Sequence, residues 1–331
     1  MSVLSWNCRG AGSTETVQYL QDIRRKYFPD FLFLMETKQK FSYMQGLKKD
    51  LGYDELVTVE PAGLSGGLAL MWKKNFKVEV LSSNKRVIDC KVRMGSQSFF
   101  LSGVYGDPVV AMRHLVWEQL RSIAVGRDEA WVLVGDFNEL MSNEEKSGGA
   151  VRNESTFWDF RHMASSCKIR ELRSSGNTLS WAGWRDKVWV QCRLDRSFGN
   201  DEWFNLFHRS QVEYMDMWSS DHRPLKICFS LETENVRRGR FFFDRRMLGK
   251  DGIEEAVRKG WQGEQGESSM DLMERISNCR RELARWKKSS GLNSHDRIST
   301  LKSSLQAEIA LRVPDARRMR YLRKEIASAY R

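Results

Sequence analysis

Short apolar runs that break off into a carboxylate or an amide constrain this chain more than any other feature. Leu4-Ser5-Trp6-Asn7 ends on an amide, Phe31-Leu32-Phe33-Leu34-Met35-Glu36 on a carboxylate, and Trp131-Val132-Leu133-Val134-Gly135-Asp136-Phe137-Asn138 on both. Such brief apolar runs, with turn signals between them, read as β-strands. Polar residues at the ends of such strands are displayed from a rigid sheet, which is where active-site groups are usually found.

Other strand-like runs recur with turn signals between them, at Val78 to Leu81, Val87 to Val92, Phe99 to Tyr105, Leu179 to Trp181, Arg193 to Phe198 and Leu225 to Phe229. Helical spacing marks Thr14 to Phe28, Ala111 to Ile123 and Ser155 to Cys167. Strands alternating with a few helices predict an α/β fold of packed sheets with helices outside.

The charge is uneven. Lys and Arg number 31 against 30 Asp and Glu in residues 1–236, and 23 against 13 in residues 237–331, so the tail holds nearly all of the net +11. The tail also changes in texture. Leu272, Ile276, Cys279, Leu283 and Trp286 follow helical spacing, and Ile298, Leu301, Leu305 and Arg312 partly continue it on another helix. Gln262 to Ser269 reads as a polar linker. Together these place one domain at residues 1–232 and a basic helical tail at 233–331.

The apolar runs are far shorter than the roughly 20 residues that span a bilayer, so no membrane partner is expected. The sequence enters a strand-like segment at Ser2 with no basic or cleavable leader. Cys8, Cys90, Cys167, Cys192, Cys228 and Cys279 are scattered singly, which speaks against a zinc knuckle or a disulfide framework. An intracellular location with reduced thiols is the expectation.

Further chemistry-bearing segments are Arg193-Leu194-Asp195-Arg196 and Ser219-Ser220-Asp221-His222-Arg223-Pro224. Magnesium takes hard oxygen ligands, often one or two carboxylates with water and substrate phosphate. Phosphodiester cleavage also needs a group that orients or deprotonates water and a group that stabilises charge on phosphorus. Glu36, Asp136, Asp195, Asp221 and His222 supply each part. Taken singly, each has a plainer reading: Glu36 as a solvated strand end, Asp136 as a turn former, and Asp195 as the surface ion-pair partner of Arg193 or Arg196.

Ser5-Trp6-Asn7-Cys8-Arg9-Gly10, Met35-Glu36-Thr37-Lys38, Gly103-Val104-Tyr105-Gly106, Gly135-Asp136-Phe137-Asn138, Arg193-Leu194-Asp195-Arg196 and Ser220-Asp221-His222-Arg223-Pro224 follow one another in this order. The series resembles the endonuclease/exonuclease/phosphatase superfamily, and within it the apurinic/apyrimidinic-endonuclease-like domain of plant non-LTR (LINE-type) retrotransposons. The resemblance spans about residues 1–232.

It implies a DNase I-like four-layer sandwich, two packed β-sheets flanked by helices, that nicks DNA with Mg2+, for which Mn2+ can substitute. Glu36 matches the principal metal ligand, with Asn7 contacting the metal site or the scissile phosphate. Tyr105 matches the tyrosine that contacts that phosphate, Asp136 the aspartate that positions or activates water, and Asn138 the amide that holds a phosphate oxygen. His222 matches the histidine that polarises the phosphate, with Asp195 holding its ring, and Asp221 resembles a carboxylate near a second metal position. Trp181 follows Ser180 as in the family's segment before the aspartate motif; it reads as a core indole or as a platform stacking on a base or sugar.

Two departures bear on subfamily. Arg9 stands where repair nucleases often carry an acidic residue, and Gly106-Asp107-Pro108 replaces a loop with an asparagine. Both weaken the case for abasic-site repair. Inositol polyphosphate phosphatases usually show Pro-x-Trp-Cys-Asp-Arg, where this chain has Val190-Gln191-Cys192-Arg193-Leu194-Asp195.

A small-phosphoester phosphatase and a catalytically decayed DNA-binding remnant are the alternatives. The tail resembles the segment joining nuclease to reverse transcriptase, and no polymerase signature follows. The chain therefore reads as a retrotransposon protein truncated before its polymerase. Its expected partners are DNA, element RNA and a reverse transcriptase supplied in trans, with the nucleus as its place of work.

Overall fold

The structure, a computed structural model, describes residues 1–63, 65–229, 247–262, 271–289 and 294–330. In chain order the first elements are β1 (Ser2–Asn7), α1 (Thr14–Tyr27), β2 (Phe31–Met35), α2 (Phe41–Asp50), β3 (Glu55–Val59), β4 (Leu68–Trp72), β5 (Lys77–Ser83), β6 (Val87–Met94) and β7 (Gln97–Tyr105). There follow α3 (Arg113–Ala124), β8 (Trp131–Asp136), β9 (Lys146–Ser147), α4 (Trp158–Ser166), β10 (Ile169–Glu171), β11 (Arg173–Ser175), β12 (Trp181–Arg185), β13 (Val188–Cys192), β14 (Asp195–Asn200), α5 (Asp201–Leu206), β15 (Gln211–Tyr214) and β16 (Leu225–Cys228). The remaining described elements are α6 (Ile253–Gln262), α7 (Leu272–Ser289), α8 (Ser294–Ile309) and α9 (Ala316–Tyr330).

Two large mixed sheets face each other, one ordered β11-β15-β16-β1-β2-β4-β3 and the other β10-β14-β8-β7-β6-β5. Alternate side chains of the central strands explain the core. Phe31, Phe33 and Met35 of β2 meet Leu101 of β7 and Val132 and Val134 of β8 between the sheets. The intervening residues Trp131 and Leu133 turn outward and pack with Trp117 of α3 and Phe160 and Met163 of α4. On the opposite outer face the Trp6 ring meets Tyr19 of α1 edge to face at 5.4 Å. Because β2 and β8 are buried over their whole lengths, a run without alternation is what such a strand must have. This is the α/β sandwich flanked by helices that the sequence predicts.

Several element ends differ from the sequence expectation. The strand expected at Leu179 to Trp181 begins only at Trp181 and pairs with β13 as a hairpin. Its turn, Asp186-Lys187, has positive φ at both residues, 47° and 65°, a geometry that Asn-Gly usually announces and this sequence does not. The second tail helix stops at Ile309, before Arg312, and Pro314 follows where a helix interior cannot take proline. The expected linker lies, past Gln262, outside the described residues, as does the sequence around Arg237.

The chain divides into two compact units, Met1–Leu231 with Lys302–Lys324, and Glu232–Leu301 with Glu325–Arg331. Part of the basic tail is thus packed with the sheets. In the second unit α6 and α7 pack together around Met247, Ile253, Ala256 and Leu283. No described helix is long and apolar enough to cross a membrane.

What positions the site is the register at one end of the sheets. Tyr105 lies beside Asp136 across the parallel β7–β8 pair, and Asp136 beside Asp195 across the antiparallel β8–β14 pair. In the other sheet Asn7 pairs with Met35, so Glu36 leaves β2 next to the end of β1. The β8 backbone reaches this register through Gly135, with φ of 151° and with a hypothetical Cβ only 1.8 Å from the Val104 carbonyl oxygen. Gly135→Ala is therefore expected to cost about 3 kcal/mol or more of folding stability, because backbone strain and overpacking add. Urea unfolding of the two proteins, with a midpoint unchanged by the substitution, would refute that account of the Gly-Asp pair.

Candidate active site

Three of the residues that shape this end of the molecule sit in left-handed backbone although none is glycine: Arg9 at φ 48°, Glu36 at 50° and Asn138 at 53°. Such conformations cost roughly 1–3 kcal/mol each and persist where the surroundings over-determine them. Here Glu36 follows directly on β2, and Arg9 and Asn138 stand two residues past the ends of β1 and β8, where the chain turns away from each strand.

One amide joins the two sheets. Asn7 Nδ2 donates to Glu36 Oε1 at 3.0 Å and to Asp136 Oδ2 at 2.9 Å. The Tyr105 hydroxyl donates to Glu36 Oε1 at 3.1 Å, and the Lys38 ammonium stands 3.3 Å from Glu36 Oε2. Burial opposes ionisation of Glu36, but the Asn7 hydrogen bond, Lys38 and Tyr105 outweigh it and hold the carboxyl below its ordinary value. Asp136 Oδ1 accepts from the Asn138 backbone N–H at 2.8 Å, while the Asn138 side chain donates to the Gly106 carbonyl at 2.9 Å.

His222 enters from the loop before β16. Its Nδ1 lies 2.7 Å from Asp195 Oδ2, and its Nε2 points toward Asp136 Oδ2 at 3.7 Å, longer than a hydrogen bond. The loop is pinned by Trp6 Nε1, which donates to the His222 carbonyl at 3.0 Å, and by Ser220 Oγ, which donates to the Asn7 carbonyl at 2.8 Å. Burial disfavours the imidazolium, yet Asp195 and Asp136 more than offset it and push the ring up to about 10. Asp136 is pushed up to about 6 by burial and by Asp195, with His222 opposing.

Asp195 is buried and faces His222. The arginines on either side of it pair elsewhere: Arg193 and Arg196 both take Glu145 and Glu171. The surface ion-pair reading of Asp195 therefore does not hold. Ser180, which sequence reasoning used only as a neighbour of Trp181, holds the aspartate in place: its Oγ accepts from the Leu194 and Asp195 amides at 3.0 and 2.9 Å.

Trp181 is buried in the wall of the cleft, and its Nε1 donates to Asp221 Oδ2 at 2.9 Å. The Arg9 guanidinium pairs with the same oxygen. Lys38 was also missed by sequence reasoning, although its place two residues after Glu36 in Met-Glu-Thr-Lys was an available signal. The cleft has a volume of about 520 Å³, and Glu36, Asn138, Trp181, Asp221 and His222 line it together with Arg9 and Arg185.

Among the described residues, ligand atoms of Asp136, Asp195 and His222 lie within 4.8 Å of one another. Glu36 is tied to this group through Asn7. Asp195 Oδ1 is buried without a hydrogen-bond partner, an electron pair still to be satisfied. Carboxylate and amide oxygens are the donor set that suits a hard divalent cation, so the residues present fit such an ion.

The sequence profile of the endonuclease/exonuclease/phosphatase family matches residues 4–222, a span that runs from β1 to His222. The chain belongs to this family. No curated protein sequence matches it. Solved structures of the family's fold superpose on it with little sequence identity. The endonuclease domain of TRAS1, a telomere-specific non-LTR retrotransposon, is 14% identical with a TM-score of 0.52, over 68% of this chain and 96% of that domain. The apurinic/apyrimidinic endonuclease LMAP of Leishmania major is 17% identical with a TM-score of 0.53, over 68% of this chain and 86% of the other. The 3′ phosphatase NExo of Neisseria, solved with a product DNA hairpin, is 17% identical with a TM-score of 0.52, over 69% and 99%. Members of this family are hydrolytic nucleases and phosphatases, typically dependent on a divalent metal.

The Asp195–His222 geometry has a consequence for titration. Removing the aspartate's charge leaves burial and a weaker attraction to Asp136, so in Asp195→Asn the imidazole should titrate well below about 10. Imidazole 15N chemical shifts followed against pH measure it. A midpoint that does not move would mean Asp195 is not what charges the ring.

Proposed function

We propose that this protein is a Mg2+-dependent DNA endonuclease, a phosphodiester hydrolase derived from a non-LTR retrotransposon. The observation that carries the reading is the Asn7 amide held between Glu36 and Asp136 while the Nε2 of His222 points at the same aspartate. A hydrolase needs an oxygen-rich cation site, a base for water and a cation for the phosphate at one point, and this arrangement supplies all three. The ordered motifs support the retrotransposon origin. The DNA hairpin in the NExo structure and the arginines of the cleft support DNA as substrate.

Glu36 and Asn7 would hold the ion, which when bound supplies Lewis-acid polarisation of a phosphate oxygen. Asp136, raised to about 6, is suited to take the proton of the attacking water near neutral pH. His222 is an imidazolium at that pH and donates from Nε2 to the charge that develops on phosphorus. Asp195 keeps the ring oriented through Nδ1, and Tyr105 and Asn138 fix the phosphate against rotation. Asp221, held by Arg9 and Trp181, borders the same cleft.

The full chain is expected to convert supercoiled plasmid to the nicked circle with Mg2+ or Mn2+ and to stop in excess EDTA. Glu36→Gln should lower the rate at least 100-fold, about 2.7 kcal/mol of barrier, with an unchanged melting temperature. Wild-type nicking by this variant would remove Glu36 from the site. His222→Ala should lower kcat by a similar factor while DNA affinity stays within about threefold, since many backbone contacts hold DNA and the histidine acts in the transition state. Matching losses in binding and turnover would make His222 a residue of the scaffold.

A further inference from the structure

The family match ends at His222, but the packed unit does not. Lys302–Lys324, far along the chain, belongs to it, and its contacts converge on the loop that delivers the histidine. Gln306 of α8 makes a two-way contact with the backbone of Met217: its Nε2 donates to the Met217 carbonyl at 2.8 Å, and its Oε1 accepts from the Met217 N–H at 3.2 Å. The same Oε1 accepts from Nη1 of Arg223, the residue after His222. Arg223 is 2% exposed, and its other bonds go to carbonyls, Met215 O from Nη1 and Leu179 O from Nε, both at 3.2 Å.

Two more contacts fix where this glutamine sits. Lys302, one turn earlier and almost fully buried, reaches Asp22 of α1 at 3.2 Å and lies over the Tyr19 ring at 4.5 Å. Trp189 of β13 donates from Nε1 to the Ile309 carbonyl at the end of α8 at 3.1 Å. Leu305 and Ile309 are completely buried. On α9, Arg323 comes within electrostatic range of Asp221. The segment thus spans α1, the 215–223 loop and the hairpin that walls the cleft.

We infer that Lys302–Lys324 is a working part of the catalytic unit, and that Gln306 is a positioning residue which, through Met217 and Arg223, sets where the His222 ring stands. The inference rests on the nuclease reading of His222. Loops carry mobility as well as function, and a displacement of about 1 Å at a reacting group can cost about 100-fold in rate. From inside, the loop is held by Trp6, Ser180 and Ser220. From outside, Gln306 is the side chain that bonds both its Met217 backbone and the Arg223 guanidinium.

The test uses the full chain and three proteins: wild type, Gln306→Leu, which keeps the bulk and loses the hydrogen bonds, and Gln306→Glu, which keeps the acceptor toward Arg223 and Met217. Plasmid nicking, the His222 imidazole 15N resonances and deuterium exchange of residues 215–223 are read on each. Gln306→Leu should lower kcat 10- to 100-fold with KM within about twofold, shift the imidazole resonances and speed exchange of the loop. Gln306→Glu should restore part of each through Arg223 and the Met217 N–H, the lost donation to the Met217 carbonyl accounting for the rest.

Unchanged resonances and exchange in Gln306→Leu overturn the inference, and so does altered exchange with wild-type kcat. If Gln306→Leu does not fold, Lys302→Met loosens the same helix from Asp22 of α1 and from the Trp218 ring of the loop, and the same readouts decide in the same sense. A wild-type chain that nicks no DNA overturns the nuclease reading instead, and the resonances and exchange then decide the positioning by themselves.

Discussion

Two carboxylates on different sheets, Glu36 and Asp136, are held close by one amide group, and the rest of the site is arranged around that fact. Like charges in a buried place repel strongly and would push the strand ends apart. The Asn7 amide offers a hydrogen to each, Lys38 and Tyr105 supplement it on one side, and His222 carries the compensating charge on the other. What remains is a centre whose negative charge is only partly answered by the protein, the electrostatic condition a divalent cation and a phosphate would complete.

Around this centre the scaffold spends several buried polar contacts on fixing orientation. Ser180 holds the Asp195 backbone, Tyr214 donates to the Asp195 carbonyl, and Arg196, with no exposed surface, pairs through its two Nη groups with Glu145 and Glu171. Replacing such a network by apolar residues can leave stability unharmed, whereas breaking it at one member exposes an uncompensated buried charge. Its evident use here is to keep Asp195 in register with Asp136, so that the imidazole between them has one place to stand.

Much of this was legible in the sequence, for a physical reason. A strand buried on both faces must be apolar throughout, so Phe31 to Met35 and Trp131 to Val134 announced themselves, and the structure gathers the polar residue at the end of each around Asn7. The ordered motifs supplied the partners that lie far apart along the chain. Other features gave no signal. The Asp186-Lys187 turn reaches positive φ without glycine or asparagine, so the hairpin after Trp181 was not readable. Arg9 reads in the sequence only as a clue to subfamily, because its partner Asp221 lies 212 residues away along the chain. The tail showed its charge and its helical period, but docking through Lys302 and Gln306 uses polar side chains on a helix, which one-dimensional patterning assigns to solvent.

The first strand of the chain lies between β2 and β16, and its pairing with β16 sets Ser2 opposite Cys228. The two strands that bring Asn7 and the His222 loop together are therefore separated by nearly the whole length of the family domain. Closing so long a loop is slow, and long-range pairing of this kind governs how fast a β-rich domain folds. As the polypeptide leaves the ribosome, β1 and β2 can pair early and bring Asn7 beside Glu36, but His222 is not yet part of the chain that has emerged. The imidazole arrives only with β16, so an unfinished chain can set Asn7 beside Glu36 while the Asp195–His222 pair is still missing.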